Sequence, residues 1–183
     1  LFSCNTLRYD FSEKIEGKER INYLLKILEN SVISNSGQIE GVFIEKEKSY
    51  YFTLNYNIEE DIYNLKFYNV LDKNILVFNA NLLKNEPYYD YYVDSFFSVK
   101  IGYILKRIKY IFKIDYTNIL MFTTRDDFIV LKDKDNNYYK YEDNLIIKKE
   151  NNLNKVKYFY TEDKKMDRIE FVGPTNSFIL TFN

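Results

Sequence analysis

The chain has 183 residues and carries 26 basic against 27 acidic side chains, a formal net charge of -1. This balance gives no overall electrostatic field that would attract nucleic acid or an anionic membrane. The absence of histidine removes the usual general base, and a single cysteine excludes an internal disulfide and a cysteine-rich zinc site. We therefore predict a protein that is not an enzyme, with no catalytic residue, no metal and no cofactor.

The first predicted element is an amphipathic helix within residues 12–31. Its apolar residues recur at the i, i+3, i+4 and i+7 spacing that places them on one stripe. They are Ile21, Leu24, Leu25 and Leu28. The following residues, NSG at 35–37, are typical of a chain break.

From residue 38 the apolar pattern changes to a period of two, which predicts a meander of four antiparallel strands up to residue 82. In such strands alternate side chains share one face. The residues predicted on that apolar face are Phe52, Leu54, Tyr56, Tyr63, Leu65, Phe67, Leu76 and Phe78.

An aromatic-rich connection at residues 85–97, which contains YYDYY, leads into a second predicted helix. Ile101, Ile104 and Ile108 lie on its apolar stripe. Three further strand segments follow, at residues 119–133, 137–151 and 154–163, and a hairpin closes the sequence at residues 167–183. The DKDNN run at 133–137 is interpreted as a solvated hairpin turn, because it lacks the glycine and glutamate of a calcium loop.

This order of elements predicts an α+β fold, in which a curved antiparallel sheet of about nine strands forms a half-open barrel covered by two or three helices. We assign residues 12–183 to this single domain and residues 1–11 to a tether. The large aromatic side chains between helices and sheet either interdigitate fully or leave an apolar cavity.

The same order resembles the LolA/LolB family of lipoprotein carriers and receptors, as does the ending KVKYFYTEDKKMDRIEFVGPTNSFILTFN. The resemblance implies an incomplete barrel whose cavity holds acyl chains. It assigns the cavity lining to Ile101, Ile104, Ile108 and the apolar strand residues named above. It also implies a membrane-contact loop at Val70 and Leu71, although these two residues could instead extend a strand into the core.

The only cysteine, Cys4, stands in LFSC, which resembles the lipobox at which bacterial lipoproteins are cleaved and lipidated. The alternative is an incidental thiol. Lipidation would make the chain an outer-membrane lipoprotein that faces the periplasm or the cell surface. Its expected partners are then acyl chains, the membrane reached through the anchor and a periplasmic carrier protein, and no nucleic acid.

Two functions follow from these expectations. The first is a lipid-anchored envelope protein that binds lipid or acyl chains in lipoprotein transport. The second is a surface-displayed interaction or adhesion module with a packed core and no cargo, whose contact is the tyrosine-rich segment at residues 88–92.

Overall fold

The computed structural model describes residues 13–14, 22, 26, 34–59, 62–68, 74–81, 88–92, 111, 118–125 and 128–183. The described elements are thirteen β-strands. In chain order they are β1 (Glu13–Lys14), β2 (Ser36–Glu45), β3 (Lys48–Glu59), β4 (Ile62–Tyr68), β5 (Asn74–Asn81), β6 (Tyr88–Tyr92), β7 (Ile119–Arg125), β8 (Phe128–Asp133), β9 (Tyr138–Glu142), β10 (Leu145–Glu150), β11 (Lys155–Tyr160), β12 (Met166–Val172) and β13 (Asn176–Phe182).

The predicted α+β class with two or three helices is wrong, because the described part of the chain is all-β and antiparallel. α-Helical backbone occurs, among the described residues, only at the single positions Asn22, Lys26 and Ile111. These positions lie in the two segments that were predicted as helices. The prediction of about nine strands is wrong as well, since the described residues alone form thirteen.

The chain divides into two compact units, and each is described by itself. Unit 1 comprises residues 1–31 and 115–151, and unit 2 comprises residues 32–114 and 152–183. The assignment of residues 12–183 to a single domain stays a prediction.

In unit 1 the strands lie in the order β1, β7, β8, β9, β10, and each pairs antiparallel with the next. Two segments that were each predicted as one strand contain two. Residues 119–133 hold β7 and β8, and residues 137–151 hold β9 and β10. The β9–β10 hairpin turns on Asp143 and Asn144, whose φ angles are 48° and 65°. Two consecutive positive φ values are the geometry of a two-residue hairpin turn, which Asp and Asn tolerate.

In unit 2 the strands lie in the order β11, β12, β13, β2, β3, β4, β5, β6, again antiparallel throughout. The predicted four-strand meander corresponds to β2–β5 and the predicted closing hairpin to β12–β13, so both predictions are confirmed. The segment YYDYY, which was predicted as a connection, is strand β6. Strand β13 pairs with β2 from Asn176↔Glu45 to Phe182↔Ile39, and this pairing joins the two meanders in one sheet.

Candidate functional site

One face of the unit 2 sheet is apolar across six neighbouring strands, and we call it the inner face. Its side chains occupy alternate positions of each strand, and every one of them is at most 5% exposed. They are Val156 and Tyr158 on β11, Ile169 and Phe171 on β12, Phe178 and Leu180 on β13, Ile39 and Phe43 on β2, Phe52, Leu54 and Tyr56 on β3, and Leu65 and Phe67 on β4.

The strand register aligns these residues in rows that cross the sheet. One row consists of Tyr158, Ile169, Leu180, Gly41 and Phe52. Aromatic rings contact one another within the inner face: Phe171 stacks on Phe178 at 4.7 Å between centroids, and Phe52 lies 5.6 Å from Phe67. Aromatic pairs at these distances stabilise the packed face beyond what the burial of their apolar area contributes.

Two glycines of β2 lie beneath aromatic rings of β3. A Cβ atom at Gly41 would lie 2.1 Å from Cζ of Phe52, its register partner. At Gly37 a Cβ atom would lie 2.9 Å from the hydroxyl oxygen of Tyr56, again the register partner. A glycine in a strand is typical of a place where another group approaches the backbone closely, and here that group is a ring of the neighbouring strand.

Two tyrosine hydroxyls of the inner face are hydrogen-bonded. The Tyr56 hydroxyl lies 2.8 Å from the Ser34 hydroxyl, and burial raises the pKa of Tyr56 while this hydrogen bond opposes the rise. The Tyr158 hydroxyl donates to the backbone carbonyl of Ile111 at 2.8 Å. Ile111 is itself buried, so this hydrogen bond is a buried contact between Ile111 and the inner face.

Five of the residues predicted to line a cavity therefore lie together on the inner face. They are Phe52, Leu54, Tyr56, Leu65 and Phe67. Tyr63, Leu76 and Phe78 are on β4 and β5, in register with this set, but their side chains are outside the described part. Cys4, Val70, Leu71, Ile101, Ile104 and Ile108 lie outside the described residues. The role of all these residues stays a prediction.

Unit 1 contains a polar cluster that the sequence interpretation missed. The DKDNN run was predicted to be a solvated turn. That prediction is wrong for two of its side chains, because Asp133 is 4% exposed and Asn137 is 9% exposed. Oδ1 of Asp133 accepts hydrogen bonds from the backbone N–H groups of Asp135, at 2.9 Å, and Asn137, at 2.8 Å. Oδ2 of Asp133 accepts hydrogen bonds from Nδ2 of Asn137 and from the hydroxyl of Tyr139, both at 2.8 Å.

Lys149 of β10 belongs to the same cluster. It pairs with Tyr139 across the β9–β10 ladder, and its Nζ lies 5.0 Å from the centroid of that ring. The side chain is only 3% exposed. Burial lowers the pKa of Lys149 to about 8, and the negative charge of Asp133 opposes the shift.

A signal for this cluster was present in the period-two pattern. Asp133 follows Leu131 by two residues, so the two side chains share one face of β8, and Leu131 pairs with Tyr139. Because DKDNN is rich in turn-forming residues, Asp133 was assigned to the turn and not to the buried face of β8. Within the residues that the structure describes, no group of three or more acidic or cysteine side chains has the geometry to hold a metal ion.

Comparison with known proteins returned no match to any family model and none to any curated protein. In the described part of the chain, no helix has the length and apolar character to cross a membrane.

Proposed function

We propose that this chain is a non-enzymatic envelope protein that binds a lipid acyl chain on the inner face of unit 2. The observation that supports this proposal is the continuity of that face: the β13–β2 pairing joins the apolar side chains of β11–β13 to those of β2–β4 without an interruption. A broad apolar surface with few polar groups is the typical environment for an apolar ligand.

Binding would require local displacement of side chains, since these residues are at most 5% exposed. The rings of Phe52 and Tyr56 are the candidates for this movement. Each lies over a glycine, so rotation of the ring away from β2 would uncover backbone without a competing side chain beneath it. An acyl chain would then replace the ring in contact with the strand, and its burial would stabilise the complex by about 0.8 kcal/mol per methylene group.

A fluorescence experiment tests this site, because the chain contains no tryptophan. The Phe52→Trp variant carries its only indole on the inner face, and the Tyr51→Trp variant carries it on the opposite face, at a position that is 58% exposed. We expect a brominated fatty acid to quench the emission of the Phe52→Trp variant in a saturable manner and to leave the matched control unchanged.

Absence of saturable quenching in a folded Phe52→Trp variant would contradict the proposal. The Phe67→Trp variant serves as a second reporter, because Phe67 is 5.6 Å from Phe52 on the same face. Equal quenching of the inner and the outer reporter would indicate non-specific adsorption and would also contradict it.

The envelope location and the membrane tether rest on the LFSC sequence and on the resemblance to the LolA/LolB family. We propose that Cys4 carries the lipid. Labelled palmitate should enter the full-length protein in its cells of origin and should not enter a Cys4→Ser variant. Equal labelling of both proteins, or of neither, would contradict the anchor and would leave the acyl-binding experiment unaffected.

A second candidate function is an interaction module with a packed core, and the tight burial of the inner face favours it. The opposite face of unit 2 carries an apolar patch on β12, β13, β2 and β3. Val172 is 54% and Tyr51 58% exposed, and the neighbouring Val42, Ile44 and Ile179 are half-buried. The partner would be a protein that offers apolar side chains to this patch.

A photo-crosslinking residue tests the second candidate directly. Introduced at position 51, it should give a discrete adduct in cells of origin, and the additional change Val172→Lys should abolish that adduct. The same crosslinker at Asn55, a half-buried polar position on the same face of β3, is the control. Adducts of equal yield at both positions would contradict a specific patch.

A further inference from the structure

The strand register of unit 2 brings three chain segments to one end of its sheet. Lys155, the first residue of β11, pairs with Val172, the last residue of β12. Asn176 pairs in turn with Glu45, and Glu45 with Lys48. Neighbouring strands are about 4.8 Å apart, so the five strands from β11 to β3 make this end roughly 20 Å wide. We call it the basic end, and its residues are 45–48, 152–157 and 172–176.

Apolar side chains are exposed at the basic end. Leu153, in the loop before β11, is 68% exposed, and Val172 is 54% exposed. Pro174, in the turn between β12 and β13, is exposed as well. Three exposed apolar side chains on neighbouring segments are typical of a surface that contacts another molecule.

Lysines surround these apolar side chains. Four of the lysines at the basic end are exposed, and two glutamates accompany them, one exposed and one half-buried. The lysines are Lys46, Lys48, Lys155 and Lys157, and the glutamates are Glu47 and Glu45. The charge of this end is therefore positive, although the charge of the whole chain is close to zero.

The turn between β11 and β12, at the other end of these two strands, differs in both respects. Its residues 161–165 are TEDKK, in which two acidic side chains balance two lysines, and none of the five is apolar. All five are exposed. Exposed lysine alone therefore does not distinguish the basic end, but the combination of positive charge with exposed apolar side chains does.

We propose that the basic end of unit 2 docks on an anionic lipid surface. Leu153, Val172 and Pro174 enter the interface between the lipid headgroups, and the surrounding lysines contact lipid phosphates. This contact does not rest on the Cys4 anchor, on acyl binding at the inner face or on the predicted membrane-contact loop.

The lysines favour a lipid surface over a protein as the partner. Lysine is depleted in protein–protein interfaces, where its strongly hydrated ammonium group would have to be buried. At a membrane surface the ammonium group stays in water among the headgroups, while the methylene groups of the side chain lie along the apolar layer. Val172 also borders the apolar patch of the opposite face, but Leu153 does not, so the test depends on Leu153.

Vesicle co-sedimentation of the full chain tests the proposal, with the Cys4→Ser substitution present so that no anchor contributes. We expect the chain to bind vesicles of phosphatidylcholine with about 30% phosphatidylglycerol and to bind pure phosphatidylcholine vesicles much more weakly. Raising the salt concentration to about 1 M should release most of the bound protein, because the charges are exposed and screened.

Substitutions at the basic end should weaken this binding by defined amounts. Lys155→Gln and Lys48→Gln should each lower the partition coefficient about fivefold, since one lysine near an anionic surface contributes about a factor of five. Leu153→Ser should lower it about tenfold through the loss of a buried apolar side chain. The matched controls are Lys165→Gln in the TEDKK turn and Leu120→Ser in unit 1, where Leu120 is 52% exposed, and both should bind as the parent does.

Four results would overturn the proposal. They are failure of the folded chain to bind anionic vesicles, equal binding to anionic and neutral vesicles, unchanged binding of the Leu153→Ser variant, and equal losses for Lys165→Gln and Lys155→Gln. A photo-crosslinker at position 153 that forms a protein adduct and no lipid adduct in cells of origin would also overturn it, in favour of a protein partner. None of these results affects the quenching of the Phe52→Trp variant, so failure of this proposal and failure of acyl binding are distinguishable.

Discussion

The ring of Phe52 lies directly over Gly41 of the neighbouring strand, so close that a Cβ atom at position 41 would be 2.1 Å from Cζ and 2.3 Å from Cε2 of the ring. The two residues are register partners in the β2–β3 ladder. The ring therefore occupies the space that a side chain on β2 would otherwise fill. The packing of the inner face at this point therefore requires glycine, the residue without a Cβ atom, at position 41.

We expect the Gly41→Ala substitution to destabilise the protein by about 1–3 kcal/mol, because the added methyl group must displace the Phe52 ring in a packed core. Urea unfolding followed by circular dichroism measures the change. Gly37→Ala is the matched control on the same strand, where the nearest atom is the Tyr56 hydroxyl at 2.9 Å, and its cost should be smaller. A Gly41→Ala variant as stable as the parent would show that the ring is free to move aside.

The hydrogen bond from Tyr158 to the Ile111 carbonyl gives a second prediction. Tyr158→Phe removes the donor of a buried hydrogen bond, so the free energy of unfolding should fall by about 1–2 kcal/mol. Tyr51→Phe removes a hydroxyl from a side chain that is 58% exposed and should change the stability by less than about 0.5 kcal/mol. Equal effects of the two substitutions in thermal unfolding would contradict a structural role for this hydrogen bond.

Replacement of Asp133 should have the largest effect of these variants. Asp133→Ala removes the acceptor of four hydrogen bonds and the negative charge near Lys149, and we expect a loss of about 3–5 kcal/mol. Asp135→Ala, two residues away and exposed, is the control and should be nearly neutral. Chemical unfolding of the two variants side by side checks the prediction, and similar midpoints would contradict it.

The titration of Lys149 predicts a dependence of stability on pH. The folded-state pKa of about 8 lies below the ordinary lysine value of about 10.4, so the unfolded state holds more protons between these values. Stability should therefore rise with pH, by about 1 kcal/mol from pH 8 to pH 9.

Urea unfolding at several pH values from 7 to 9 measures this slope. The Lys149→Met substitution should abolish the slope. A slope of the opposite sign would contradict the assignment.

The meander could be predicted from sequence because its residues alternate clearly. Phe52, Leu54 and Tyr56 were predicted on one face by period alone, and the structure buries all three on that face. The strand count was underestimated where a tight turn interrupts an apolar run. At Asp143 and Asn144 only two residues separate β9 from β10, and their composition does not differ from the polar positions of the strands themselves.

The polar cluster could not be predicted from composition, since a lysine and an aspartate are normally assigned to the surface. Only the pairing of Lys149 with Tyr139, and of Tyr139 with Leu131, places the charged groups in the interior of unit 1. This pairing is a property of strand register, which depends on turns whose length the sequence did not define.

The position of β13 between β12 and β2 has a consequence for the order of folding. The partners of β13 in β2 precede it by more than 130 residues, from Glu45 opposite Asn176 to Ile39 opposite Phe182. The hairpin of β2 and β3 can form as soon as it leaves the ribosome, but the other edge of β2 stays without its partner until residue 182 has been synthesised. Such long-range pairing slows folding, and an open strand edge invites association with other chains in the interval. We therefore expect the nascent chain to be the form of this protein that is most prone to aggregation and most dependent on chaperones.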